Sequence, residues 1–208
     1  DTGERNLYAY KRKLILNYKP VPGRRGRIGI PLCLNLWELY PFWYTFFKTL
    51  GFGVVHSPES DRKLYFEGQH TIPSDTVCYP AKLMHGHIEA LLREKPDAIF
   101  YPCMSYNLDE HLGDNHYNCP VVAYYPEVLH ANILKLRDVN FLYPYFDLNL
   151  RKEFEKRAYV YFSEHFEGIT RKELKAASTA GYAAYAKWQQ ELKAEGARVL
   201  TWARERGK

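Results

Sequence analysis

The sequence predicts an α/β protein, a Rossmann-like and mostly parallel sheet flanked by helices, with a helical C-terminal tail. Three observations carry that expectation. Short apolar runs at 27–35, 52–58 and 97–103 have the length and bounding residues of buried strands. Between them lie segments whose apolar residues recur at helical spacing. After residue 148 the strand-like runs stop and charged helical patterning takes over. Strands that alternate with helices form parallel pairs joined by crossovers.

Taken in order, residues 1–22 form a basic-aromatic lead-in. Leu7, Tyr10, Leu14, Ile15 and Tyr18 follow roughly helical spacing, and Pro20 and Pro22 stop it. A Gly/Arg linker at 23–27 leads into the first strand, RIGIPLCLN. Residues 37–51 are long enough for a helix ending at Gly51, with Pro41 kinking it or marking its first turn. A second strand at 52–58 and a short helix at 60–69 follow. Leu83, Met84, Ile88, Leu91 and Leu92 make 81–94 an amphipathic helix. Cys78 then stands at or just before its start, with Pro80 in the first turn. Pro96 ends that helix. The third strand, 97–103, carries Cys103 at its carboxyl end.

Residues 104–118 read as a long loop, a length usually reserved for function or disorder. Residues 119–129 read as a fourth strand and 139–148 as a fifth. A helix with Phe154, Ala158, Tyr161 and Phe162 on one side comes next. Thr170 and Glu173 form a capping box opening a helix toward Gly196, with a further turn or two after it. The organisation expected is a lead-in at 1–26, an α/β domain at 27–148, and a helical extension at 149–208. The chain opens at Asp1 without Met, which fits either a processed protein or an excised piece of a longer one.

The totals narrow the classes. A chain of 208 residues that is 46% hydrophobic can bury a substantial core. Eighteen tyrosines, each an apolar ring with a polar tip, reconcile this with a negative mean hydropathy. The net charge of +5 is mild, and its basic residues gather at the two ends, so a nucleic-acid binder is not indicated. No apolar run approaches the ~20 residues of a membrane helix. Four cysteines do not make a disulfide scaffold. A cytoplasmic protein with reduced thiols is the expectation.

Cysteine is often only a small buried hydrophobe, and Cys33, between Leu32 and Leu34, reads that way. Cys78, Cys103 and Cys119 differ in position. A helix N-terminus favours a thiolate at Cys78. The carboxyl end of a strand, where open α/β sheets collect ligands, holds Cys103. As the first residue of a strand, Cys119 would lie at the opposite edge unless the loop carried it back. No C-x-x-C pair gives the spacing of a zinc finger, whereas an iron–sulfur cluster needs thiolates without one fixed spacing. His85 and His87, two residues apart on a helix, point to different faces and read as packing or surface residues. His111 and His116 either solvate the loop or supply a further ligand. No phosphate-binding glycine motif, G-x-S-x-G or H-E-x-x-H occurs.

The runs IGIPLCLNLWELYPFWYTFFKTLGFGVV, TIPSDTVCYPAKLMHGHI, DAIFYPC and DNHYNCPVVAYYPEVL resemble acyl-CoA dehydratase activase-related proteins. These in turn resemble the cluster-carrying component of 2-hydroxyacyl-CoA dehydratases and double-cubane cluster proteins. The resemblance implies that Cys78, Cys103 and Cys119 are metal ligands. They would hold a 4Fe–4S cluster or half of a double cubane, a feature of anaerobic metabolism. It implies an ASKHA-type ATPase partner that drives low-potential electron transfer, with a CoA-thioester substrate for the full-length protein. It also agrees with Cys33 as an apolar residue, and it implies a second α/β domain after the helical tail, which makes this chain an excised middle piece. Two other readings stand beside it: a non-redox scaffold docking the ATPase module, and a structural zinc domain.

Overall fold

The computed structural model describes residues 5–207. Asn6 caps α1 (Leu7–Leu16) by accepting from the Ala9 amide at 3.0 Å. The chain then enters β1 (Arg27–Ile30), α2 (Asn35–Thr49) and β2 (Gly53–His56). Two helices follow, α3 (Arg62–Gly68) and α4 (Tyr79–Glu94), and then β3 (Ala98–Phe100). After the loop come α5 (Pro120–Asn132), β4 (Phe141–Leu142), α6 (Arg151–His165) and α7 (Arg171–Glu205).

The four strands form one parallel sheet in the order β2-β1-β3-β4, so the expected Rossmann-like α/β class is observed. Ile28 is the register point, opposite Val54 on one side and Ala98 on the other. By the right-handed rule for parallel crossovers, this strand order puts α2 on one face and α4 and α5, which touch each other, on the other. The order reverses between β1 and β3, and the crevice beyond their carboxyl ends is the switch point where such sheets bind ligands.

The α2 face is aromatic. Trp43 and Phe47 pack on Phe100 of β3, with ring centroids 4.6 and 4.8 Å apart. From α6, Phe154 and Phe162 enter the same cluster, and α7 lies along α2, where Tyr182 meets Phe42 at 5.0 Å. Pro41 sits inside α2 without ending it, and Gly51, at φ +91, follows the helix end. The capping box at Thr170 and Glu173 opens α7 as expected, but α7 continues through Gly196 to Glu205 without a break.

One expected element is corrected. Residues 119–129, read as a strand, form α5. β3 and β4 are parallel neighbours, so the chain between them must cross back over the sheet, and a helix does this. The fifth expected strand becomes β4, with ladder contacts extended to Cys103 and Tyr145.

Candidate functional site

Correcting residues 119–129 changes the position of Cys119. As a strand start it would lie far from Cys103; as the residue before α5 it lies at the carboxyl edge of the sheet. Cys78 and Cys119 are both N-cap residues with a proline in the first turn. Their backbones match closely, at φ −61°, ψ 152° and φ −63°, ψ 156°. Both are exposed. Each helix then runs down to the amino edge, so both N-termini face the same way as the strand ends.

Two further cysteines lie at those strand ends. Cys103 follows β3 and is 1% exposed. Its amide donates to the Pro144 carbonyl at 2.9 Å, and its carbonyl accepts from the Phe146 amide at 3.0 Å. Cys33 lies in the turn after β1, buried as expected, with its thiol donating to the Pro80 carbonyl at 3.2 Å. That turn contains Leu34 at φ 52°, a conformation costly for a side-chain-bearing residue.

The loop closes the arrangement. The Asn118 amide donates to the Ser105 carbonyl at 2.9 Å, and the Asn118 side chain donates to the Met104 carbonyl at 2.9 Å. The residue before Cys119 is thereby tied to the residues after Cys103. His111 and His116 fold onto Asp109, at 3.2 and 3.4 Å. A cleft of about 980 Å³ opens between this loop and the β1–α2 turn, lined in part by Cys33, Asn35, Pro80, His116 and Asn118.

A buried tyrosine stands at the same edge, directly after the last residue of β3. Tyr101 is fully buried, and its hydroxyl has no hydrogen-bond partner among the described residues. The groups that act on it electrostatically are Cys33, Cys103, Tyr125 and Cys119. Cys78 acts likewise on Tyr125 and Cys33. Burial, then the Glu127 carboxylate, pushes the Cys103 thiol up to about 12. Burial also pushes the Cys33 thiol up to about 12. Both are therefore neutral thiols near pH 7, and Cys103 would have to lose its proton before binding metal.

The HGH pair is buried, not superficial. Both imidazoles are 0% exposed. Thr71 donates its hydroxyl to the Gly68 carbonyl at 2.8 Å, so it accepts from Nδ1 of His85 at 2.7 Å. Nε2 of His85 then accepts from the Tyr125 hydroxyl at 2.9 Å. His87 lies between Ser57 at 2.6 Å and Ser60 at 2.8 Å. Burial lowers both histidines to about 4, so they stay neutral. Gly86 between them lets α4 meet α3, since a Cβ there would overlap the Leu64 carbonyl.

The model of the CoA enzyme activase uncharacterised domain family matches residues 27–208. The chain belongs to that family. No curated protein and no solved structure matches it. The match to this CoA enzyme activase domain begins at the first residue of β1 and includes all four cysteines. Among the described residues, no helix is long and apolar enough to cross a membrane.

The donors that this activase-family domain sets about the switch point are thiols, the donor type an iron–sulfur cluster takes. Among the described residues, no group of three or more His, Cys, Asp or Glu side chains is placed to hold a metal ion. Sequence reasoning missed Tyr101. Its only signal was a tyrosine two residues before a cysteine in a chain rich in tyrosine.

Proposed function

We propose that the carboxyl edge of this sheet holds an iron–sulfur cluster through Cys78, Cys103 and Cys119. The domain would be the cluster-carrying part of an ATP-coupled, low-potential electron-transfer system related to 2-hydroxyacyl-CoA dehydratases and their activators. The observation that supports it is the shared placement of these cysteines: two matched helix starts and one strand end at a single switch point. When bound, the cluster would supply single-electron transfer at low potential. The chain's own part is to present thiolates and exclude water. Cys103 anchors the buried side, held by its ladder to Tyr145. Cys78 and Cys119 offer the exposed side, which leaves a route for loading and for a partner. The family description points to an ATPase partner, and an ASKHA-type module that powers electron delivery fits this role.

Anaerobic reconstitution with iron and sulfide tests the reading. Bound iron with thiolate-to-iron charge-transfer absorption is expected, with loss of both when Cys78, Cys103 and Cys119 are replaced together by Ser. Absence of bound iron in the wild type would sink it.

A second reading is a docking domain for the ATPase module without a redox role. A groove of about 640 Å³ between β4 and α6 favours it, with Tyr145 and Val160 exposed there. Binding of the ATPase module that survives the triple serine replacement but fails on Val160→Glu would support this reading. Binding lost with the cysteines would oppose it.

A further inference from the structure

Tyr101 carries a hydroxyl that the fold does not use. It follows directly on the last residue of β3, is 0% exposed, and its hydroxyl lacks a hydrogen-bond partner among the described residues. Leaving a buried hydroxyl unpaired is costly, and a phenylalanine would fill the same space without that cost. Tyr101 and Cys103 are two residues apart in one extended ladder, which puts their side chains on the same face of the sheet. The thiols of Cys33, Cys103 and Cys119 and the phenol of Tyr125 act on Tyr101. Tyr125 already donates to His85, and Cys33 to the Pro80 carbonyl. Neutral thiols are weak acceptors, whereas thiolates and sulfides are strong ones.

Building on the cluster reading above, we infer that Tyr101 is a positioning residue whose hydroxyl donates to a sulfur of the group bound at this edge, a cysteinate or a sulfide, and so raises its reduction potential. A hydrogen bond draws electron density from the sulfur and favours the reduced state of the irons.

The test compares the wild-type chain with Tyr101→Phe, both loaded anaerobically with iron and sulfide. Iron and sulfide per chain are measured first, then the midpoint potential by redox titration, then iron–sulfur stretching modes by resonance Raman in H2O and D2O. Equal iron is expected, with reduction of the variant disfavoured about tenfold, a shift of about 59 mV for one electron. A deuterium-sensitive mode of the wild type should vanish in the variant. Equal iron with unchanged potential and unchanged deuterium response overturns the role of Tyr101 and leaves the cluster reading standing. No iron in the wild type overturns the cluster reading, and this inference with it. Without metal, Tyr101→Phe should be at least as stable as the wild type, because it removes an unpaired group. A less stable variant shows that the hydroxyl is already partnered and overturns the inference by a separate route.

Discussion

The thiol of Cys33 donates to the carbonyl of Pro80 across 3.2 Å, pinning the β1–α2 turn to the first turn of α4. Cys33 is thus a buried donor at the site, beside the helix that begins after Cys78. Its thiol, raised to about 12 mainly by burial, keeps its proton at neutral pH.

Replacing it should therefore separate structure from ligation. Cys33→Ala is predicted to cost about 1 kcal/mol of stability and to retain bound iron. Cys78→Ala, Cys103→Ala and Cys119→Ala should each lose most of it. Iron per chain and urea unfolding read the two effects. Iron lost from Cys33→Ala would make Cys33 a ligand.

The two buried histidines predict a pH dependence. Each titrates near 6.5 when unfolded and about 4 when folded, so between those values the unfolded chain binds more protons. Their contribution is whole above about pH 6.5 and is lost as pH falls toward 4, on the order of 3 kcal/mol apiece. Imidazole resonances followed by NMR should show both rings neutral at pH 5. Titration of either ring near 6.5 would contradict its burial as a neutral group.

Gly86→Ala should destabilise the fold, because the new methyl would meet the Leu64 carbonyl of α3. Overpacking of this kind costs about 1–3 kcal/mol. Denaturant midpoints measure it, and a neutral outcome would mean that α3 can shift away from α4.

Phe154 of α6 is 1% exposed among Phe42, Trp43, Phe46 and Phe146. Phe154→Ala is predicted to cost about 3–5 kcal/mol. If α6 shares the core of the sheet, tryptophan fluorescence and far-ultraviolet circular dichroism should report one coincident transition. Two separated transitions would mean that the helical tail unfolds independently.

Much of the fold was legible because it is written locally. Apolar spacing marked α2, α4 and α6, the capping box marked the start of α7, and prolines marked the starts and ends around Cys78 and Pro96. The segment after Cys119 was misread because Val121, Val122 and its tyrosines form an apolar run that suits a strand as well as a helix. Its identity depends on β3 and β4 being parallel, a relation between distant segments.

The sequence by itself determined the α/β class, the helix start at Cys78, the strand end at Cys103 and the apolar nature of Cys33. Tertiary structure alone decided that Cys119 returns to their edge, that His85 and His87 are buried and neutral, and that the Tyr101 hydroxyl is buried without a hydrogen-bond partner among the described residues. Periods and caps are set by residues within one or two turns of each other. Which side chains share a buried space is set by crossovers and loop closure, and local spacing does not encode them.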